Sequence, residues 1–273
     1  MIDGFSFKDV YGIGDLLQIM QCLRSEGGCP WDREQTHESI KKNLIEETYE
    51  VIEAINQQDK ALLCEELGDV LMQVVFHAQM EAEEGSFTFE NVADGVCKKL
   101  IERHPHVFGE VEVTGSEEVL RNWDDIKKRS KGQTSQTETM LSVPRELPAL
   151  MRATKVQKKA AKVGFDWPDI SGAVDKLYEE TSELSGAIES GSEEEIAEEL
   201  GDLLFSAVNV SRFVGCDAEE ALTAATDKFM RRFACVEEKA RERGLKLEEL
   251  SLSELDALWA VSYTHLTLPT ICS

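Results

Sequence analysis

Lys176–Phe205 decides the fold, and it reads KLYEETSELSGAIESGSEEEIAEELGDLLF. Two helical patterns in this stretch are joined by Ser190-Gly191-Ser192. Ser192 and Glu195 fit a capping box, in which the serine begins the second helix. Because a short connection makes consecutive helices antiparallel neighbours, the stretch predicts a helical hairpin.

Each predicted helix of this hairpin carries two acidic residues three positions apart. Glu180 and Glu183 lie on the first helix, and Glu199 and Asp202 lie on the second. Residues at i and i+3 project from the same face of an α-helix, so the two pairs can face each other. Four carboxylates in one space repel one another and take up protons unless a cation lies among them. Oxygen ligands of this kind suit Mg²⁺ or Mn²⁺, so the pattern predicts a metal site.

The same pattern occurs a second time, in residues 43–71, which read NLIEETYEVIEAINQQDKALLCEELGDVL. One constant offset of 133 residues aligns its four acidic residues with those of the hairpin. These first-half acids are Glu47, Glu50, Glu66 and Asp69. A repeat in one register indicates a tandem duplication. Since helical periodicity dominates and no alternating strand pattern competes with it, we expect an all-α protein, a tandem repeat of two small helical bundles.

The repeat also suggests where the domains begin and end. We expect an N-terminal domain over residues 1–129 and a C-terminal domain over residues 146–260. Residues 130–145 are mostly polar and are the best candidate for a linker between them. The last residues, 261–273, are rich in threonine and β-branched residues and follow a Glu/Ala/Leu helix abruptly. We interpret them as a foreign or frameshifted tail and exclude them from functional reasoning.

Local signals place further helix boundaries. Asp59 and Asp217 are candidate N-caps of long helices, and we expect a short last helix over residues 253–259. The proline at position 30 and the segment 104–109, HPHVFG, predict irregular structure.

Composition limits the possible function classes. The 273 residues include 53 acidic and 29 basic ones, a formal net charge of −24. Nucleic-acid binding requires a positive footprint, so we expect none. No run of 18 apolar residues predicts a membrane span, and the N-terminus lacks the features of a signal peptide. Seven cysteines without a CxxC pair are typical of reduced thiols, so a cytoplasmic protein is expected.

The doubled acidic motif resembles the MazG family of nucleoside triphosphate pyrophosphohydrolases. The matching residues are EETYE…EELGD and EETSE…EELGD, supported by CPWDREQTH at Cys29–His37 and by HPHVFG. The resemblance covers residues 8–259. It implies an all-α, Mg²⁺-dependent homodimer that cleaves a nucleoside triphosphate between the α and β phosphates. The products would be a nucleoside monophosphate and pyrophosphate.

The resemblance also implies roles for individual residues. In two-domain members the C-terminal half is the better-attested catalytic half, so Glu180, Glu183, Glu199 and Asp202 would bind the metal. Glu179 would position the attacking water. The expected contacts to phosphates or nucleotide are Lys176, Lys228, Arg232 and Trp259, with Lys99 and Arg103 as the matching basic pair of the first half. That half keeps every acid of the motif, so it is a second active site or a regulatory or dimerising copy.

The residues are also compatible with a phosphoribosyl-ATP pyrophosphohydrolase or a pyrimidine-specific pyrophosphohydrolase, because these enzymes share the chemistry of the nucleoside triphosphate enzyme. A non-enzymatic dimerising adaptor would instead keep its acids for solubility. A di-iron carboxylate bundle would need Glu-x-x-His, but the third residue after Glu183 is Gly186. That alternative is therefore disfavoured.

Overall fold

The computed structural model describes the backbone of residues 6–266 and the side chains of residues 6–120 and 122–260. Within these residues all regular structure is helical, which confirms the all-α prediction. The chain divides into two compact units between Lys127 and Lys128. None of the described helices combines the length and apolar composition needed to cross a membrane.

The first unit contains helices α1 to α6 and most of α7. Their bounds are α1 Ile13–Arg24, α2 Pro30–Glu34, α3 His37–Gln57, α4 Lys60–Glu83, α5 Phe89–Arg103, α6 Pro105–Phe108 and α7 Ser116–Ser130. The second unit contains α8 Gln136–Leu141, α9 Ala149–Ala161, α10 Ile170–Ser190, α11 Glu193–Phe213, α12 Ala218–Glu242 and α13 Leu252–Leu266, with a 3₁₀ turn at Leu247–Glu249.

The helices α3 and α4 pack on each other in the first unit, as α10 and α11 do in the second. Two residues join each pair, so each pair is an antiparallel hairpin. The first connecting residues, Gln58 and Gly191, lie at the repeat offset, and both adopt the left-handed conformation, with φ values of 57° and 74°. The tandem repeat is therefore visible in the backbone as well as in the sequence.

Side-chain caps begin the second helix of each hairpin. Asp59 accepts hydrogen bonds from the backbone N–H groups of Ala61 and Leu62, as predicted. Ser192 accepts one from Glu195, a cap that stabilises a helix by about 1 kcal/mol. In the predicted capping box the Glu195 carboxylate would also accept a hydrogen bond from the Ser192 N–H. It accepts instead from the Ser190 hydroxyl, at 3.0 Å. Asp217 caps α12 as expected, through Glu219 and Glu220.

Three short helices lie where the sequence predicted irregular or linking structure. Pro30 and Pro105 occupy the first turn of α2 and α6. A proline at that position lacks only an N–H that would have no helical partner, so it favours a short helix after the break. In the segment 130–145, α8 packs on α9, and Thr139 and Val143 are buried. A few buried groups in a polar segment are hard to recognise from composition.

The end of the chain also differs from the expected short helix at 253–259. The backbone of α13 continues to Leu266, six residues into the predicted foreign tail. Residues 267–273 of that tail lie outside the described part of the chain, so the tail's origin stays a prediction.

The core of the first unit is formed where α1, α3 and α4 meet. Its buried members are Met20, Ile40, Val75, Phe76 and Met80. In the second unit a cluster of Val236, Ala240 and Leu258 holds α12 against α13. The core of the first unit therefore packs directly on α3 and α4, the hairpin that carries the first set of acidic residues.

Candidate metal centre

The four acids of the second hairpin converge. One carboxylate oxygen from each of Glu180, Glu199 and Asp202 lies within 4.8 Å of the others, and Glu183 forms a similar group with Glu179 and Glu180. Glu180 is only 3% exposed, whereas Asp202 is open to solvent. The spacing at i and i+3 on both helices produces this arrangement directly.

Burial and the negative charges of the neighbouring carboxylates together change the pKa of Glu199. Burial, followed by the charges of Glu183, Glu180 and Asp202, raises the pKa of Glu199. A carboxylate surrounded by others is destabilised in its charged form, and a cation among them removes that repulsion. The donor set is therefore suited to a divalent metal ion bound through oxygen.

Lys176 supplies a positive charge to this group. Its Nζ lies 2.6 Å from Oε1 of both Glu179 and Glu180. These two hydrogen bonds raise the pKa of Lys176, so its ammonium group is charged at neutral pH. Lys176, which was predicted to contact phosphate, therefore lies at the acidic cluster. Its partners Glu179 and Glu180 follow it by one turn of α10.

The first hairpin repeats the acidic arrangement. Oxygens of Glu47, Glu66 and Asp69 lie within 4.8 Å of one another. Burial and then the charges of Asp69 and Glu50 raise the pKa of Glu47. Burial and then Glu50 and Asp69 likewise raise the pKa of Glu66. Lys176 has no lysine counterpart here, because the repeat offset places Asn43 at that position.

The predicted basic and aromatic residues form pairs in both units. The Arg232 guanidinium lies 3.8 Å from the centre of the Trp259 ring and donates a 3.2 Å hydrogen bond to the Trp259 carbonyl. Arg103 lies 5.1 Å from the ring of Trp123. Arg232 is 6% exposed, whereas Lys228 and Lys99, one turn earlier on their helices, are exposed. One face of Trp259 is therefore covered by an arginine, and its predicted contact with the nucleotide stays a prediction.

Comparison with known proteins identifies the family. The model of the MazG nucleotide pyrophosphohydrolase domain matches the chain twice, at residues 35–108 and 171–236. Each match contains one acidic hairpin. The chain belongs to the MazG family. The resemblance of the doubled acidic motif is thereby confirmed.

Individual relatives cover nearly all of this MazG-family chain. It is 48% identical over 245 residues to the nucleoside triphosphate pyrophosphohydrolase/pyrophosphatase MazG of Thermotoga maritima, covering 90% of this chain and 93% of that protein. It is 46% identical over 250 residues to the nucleoside triphosphate pyrophosphohydrolase of Escherichia coli K12, covering 90% and 95%. It is also 50% identical over 242 residues to the protein YabN of Bacillus subtilis, covering 88% of this chain but 49% of that longer protein.

Sequence reasoning missed several polar residues beside the second hairpin. Gln157, Asn209 and Arg212 line a cavity with aromatic neighbours from the segment 164–167. Gln157 and Asn209 have no charge and belong to no recognised motif, so motif patterns do not single them out. The available signal was a comparison of the two halves, which have different residues at these positions.

Proposed function

We propose that this protein hydrolyses nucleoside triphosphates between the α and β phosphates and releases a nucleoside monophosphate and pyrophosphate. The observation that carries the proposal is the convergence of Glu180, Glu183, Glu199 and Asp202 on two packed helices of a MazG-family fold. Two relatives that carry the name nucleoside triphosphate pyrophosphohydrolase match this chain over nearly their whole length, which supports the same substrate class.

Mg²⁺, or Mn²⁺ in its place, is the metal that fits the acidic cluster. The available donors are carboxylate oxygens without sulfur or imidazole, the set that hard divalent cations prefer. Glu180, Glu183, Glu199 and Asp202 would hold it. When bound, such an ion neutralises phosphate charge and lowers the pKa of a coordinated water.

The chain's own residues would orient the substrate and move protons. Glu179 is exposed beside the metal-binding acids, so its carboxylate can accept a proton from the attacking water. Lys176 already lies among these carboxylates and can transfer its hydrogen bonds to phosphate oxygens when a nucleotide enters. Lys228 and Arg232 would stabilise the negative charge that develops on the departing pyrophosphate. Trp259 would keep Arg232 in place and contact the nucleotide.

We place the main activity in the second half. The first half has the metal-binding acids Glu47, Glu50, Glu66 and Asp69 and the basic residues Lys99 and Arg103. However, Asn43 replaces the lysine that contacts the cluster in the second half. A neutral amide cannot neutralise phosphate charge. The first half would therefore still bind a metal, but it would catalyse hydrolysis more slowly than the second half.

A homodimer is the expected assembly. Several large apolar residues on the acidic hairpins and on α12 are exposed in the single chain. They include Ile45, Tyr49, Leu67, Tyr178, Leu200, Leu204, Phe229 and Met230. Symmetric burial of such surface is the usual way homodimers form. Light scattering after size exclusion would show about twice the monomer mass.

We further propose a cytoplasmic location without nucleic-acid partners. The net charge of −24 disfavours association with a phosphate backbone. The six cysteines in the described residues are unpaired, which fits a reducing compartment.

The experiment that tests the proposed function compares matched variants of the two halves. Each of the common nucleoside triphosphates is incubated with Mg²⁺, and products are separated by ion-exchange chromatography. Glu180→Gln should abolish formation of monophosphate and pyrophosphate, because the metal loses a buried ligand. Glu47→Gln, the same change at the repeat position, should leave most of the activity. Full activity in Glu180→Gln, with loss in Glu47→Gln, would place catalysis in the first half instead.

A further inference from the structure

Two histidines of the first unit face each other through their ring nitrogens. Nδ1 of His37, the first residue of α3, lies 2.7 Å from Nδ1 of His77 on α4. The two rings are nearly parallel, with 3° between their planes and 5.0 Å between their centroids. That separation is the one that two coplanar rings have when their facing nitrogens are this close. One nitrogen must donate and the other accept, so a single proton lies between them.

Glu81 determines which nitrogen of His37 carries a further proton. Its Oε1 lies 2.9 Å from His37 Nε2. Because a carboxylate only accepts, His37 Nε2 is protonated. On the opposite side of the pair, His77 Nε2 is buried and has no hydrogen-bond partner among the described residues. The His37 side chain is 45% exposed, so protons from solvent can reach the pair.

The pair can take up one proton without losing its contact, but it cannot take up two. When both rings are neutral, His37 carries its proton on Nε2 and His77 donates from Nδ1. One added proton goes to His77 Nε2, and one proton still lies between the Nδ1 atoms. A second added proton places an N–H on both Nδ1 atoms, and two donors cannot remain 2.7 Å apart. Since two imidazolium rings also repel each other, double protonation separates the histidines.

The surroundings of His77 act in the same direction. Burial and then the charge of His37 lower the pKa of His77. Among the described residues, Glu81 is the charged side chain that bonds to the pair. The other charged side chains nearby on the elements around the pair are Arg24 on α1, Asp32, Arg33 and Glu34 on α2, Glu38 and Lys41 on α3, Glu83 and Glu84 on α4, and Glu90 and Asp94 on α5. Of these, Glu38 pairs with Lys41, and Arg24 bonds Glu83 at 2.8 Å.

The second unit has apolar residues at all three positions. The repeat offset places Ile170 at the position of His37, Val210 at that of His77 and Val214 at that of Glu81. None of these side chains binds a proton in water. The equivalent contact of the second unit is therefore insensitive to pH, and the duplicated hairpin provides an internal control.

The histidines join the open end of the first hairpin. His37 begins α3, whereas the connection at Gln58 lies at the other end of that helix. Ile40, one turn after His37, belongs to the core of the first unit, as does Phe76, the residue before His77. Separation of the histidines would therefore loosen the first turn of α3 at the edge of this core.

We infer that His37 and His77 form a proton-sensitive latch, which holds the start of α3 on α4 while the rings share a proton and opens when both rings are protonated. The latch acts in the first unit and does not depend on the hydrolysis of a nucleotide. The sign of its pH dependence follows from His77. A histidine with a lowered pKa in the folded state stabilises the fold fully above its unfolded pKa of about 6.5. That contribution is lost as the pH falls from there through the folded pKa.

Amide hydrogen exchange of the full-length protein in EDTA tests the latch against its internal control. Peptides covering residues 37–48 and 170–181 are compared at about pH 7.5 and about pH 5.5, after correction for intrinsic exchange rates. One proton taken up on opening changes the opening equilibrium by up to tenfold per pH unit. Protection of residues 37–48 should therefore fall about tenfold in acid, and that of residues 170–181 should stay constant. An equal response of both segments would overturn the inference.

A double variant transfers the residues of the second unit to the first. His37→Ile combined with His77→Val should remove the pH dependence of residues 37–48. His106→Gln, a change of a histidine outside the pair, should leave that dependence intact. A response to acid that persists in the double variant would contradict the latch.

Nitrogen NMR tests the shared proton without any substitution, so it decides even if the double variant does not fold. In protein labelled with ¹⁵N-histidine, the two Nδ1 nuclei should be coupled through the hydrogen bond at neutral pH. In acid the coupling should disappear as both rings become imidazolium. Absence of the coupling at neutral pH would overturn the inference. So would stabilisation of residues 37–48 by Zn²⁺ in chelator-free buffer, because a metal rather than a proton would then join the two nitrogens.

Discussion

Lys176 and Glu180 form an ion pair inside the acidic cluster, with 2.6 Å between Nζ and Oε1. Glu180 is buried and belongs to the group of oxygens that can hold a metal. The lysine therefore competes with a cation for this carboxylate and can later bind phosphate. The first half has Asn43 at this position and lacks the pair.

We expect Lys176→Met to affect metal binding and catalysis in opposite directions. Removing the ammonium group leaves Glu180 without its competing cation, so Mn²⁺ affinity measured by calorimetry should rise several-fold. The loss of a charged hydrogen bond to phosphate should lower kcat/KM about tenfold or more. Lys155→Met, an exposed change on α9, serves as the control and should alter neither quantity. A decrease in metal affinity would contradict the competition between Lys176 and the metal.

The raised pKa of Glu199 predicts how stability and metal binding change with pH. A carboxyl group with a raised pKa in the folded state stabilises the fold fully below its unfolded pKa of about 4.3. That contribution is lost as the pH rises through the folded pKa. The free energy of unfolding, measured with urea in EDTA, should therefore fall as the pH rises from about 4.3 through the folded pKa. This fall should be smaller in Glu199→Gln than in the unaltered protein.

The same shift makes protons compete with the metal at Glu199. Mn²⁺ affinity should begin to fall at a pH above the usual carboxyl range as the solution is acidified. A metal affinity that is constant down to pH 4 would show that Glu199 does not bind the ion.

The contact between Arg232 and Trp259 predicts a coupled loss of stability and substrate affinity. Arg232→Met removes a buried stacking interaction and a hydrogen bond, at a cost of about 2 kcal/mol in the free energy of unfolding. If Arg232 also binds phosphate, KM for the triphosphate should rise. Arg231→Met, at the exposed neighbouring position, should change stability by less than about 0.5 kcal/mol. Unchanged KM in Arg232→Met would limit this arginine to a structural role.

Gln58 predicts a stabilising substitution. It has a positive φ of 57°, whereas the equivalent residue of the second half is Gly191. Since a left-handed conformation is strained for any residue with a Cβ, Gln58→Gly should stabilise the first unit by about 1 kcal/mol. The reverse change, Gly191→Gln, should destabilise the second unit by a similar amount. Chemical denaturation of both variants checks the pair, and effects of the same sign would contradict the strain argument.

The sequence was sufficient to predict the features that depend on local spacing. The i and i+3 acids, the caps at Asp59 and Asp217 and the hairpin connection at Gly191 all follow from helix geometry. The helices α2, α6 and α8 were missed because proline and polar residues resemble loop signals when tertiary contacts are unknown. The cavity lined by Gln157 and Asn209 was missed because it depends on which residues of α9 and α11 are small. That information emerges only when the helices pack and the two halves can be compared.

The central claim is that the second acidic hairpin directs water to the α-phosphorus of a nucleoside triphosphate. The most direct measurement is ATP hydrolysis with Mg²⁺ in ¹⁸O-labelled water, followed by mass spectrometry of the separated products. We predict one ¹⁸O atom in AMP, unlabelled pyrophosphate and loss of turnover on chelation or in Asp202→Asn. Label in pyrophosphate would mean that water attacks the β-phosphorus, and release of ADP with orthophosphate would mean that another bond is cleaved. Either result would contradict the account.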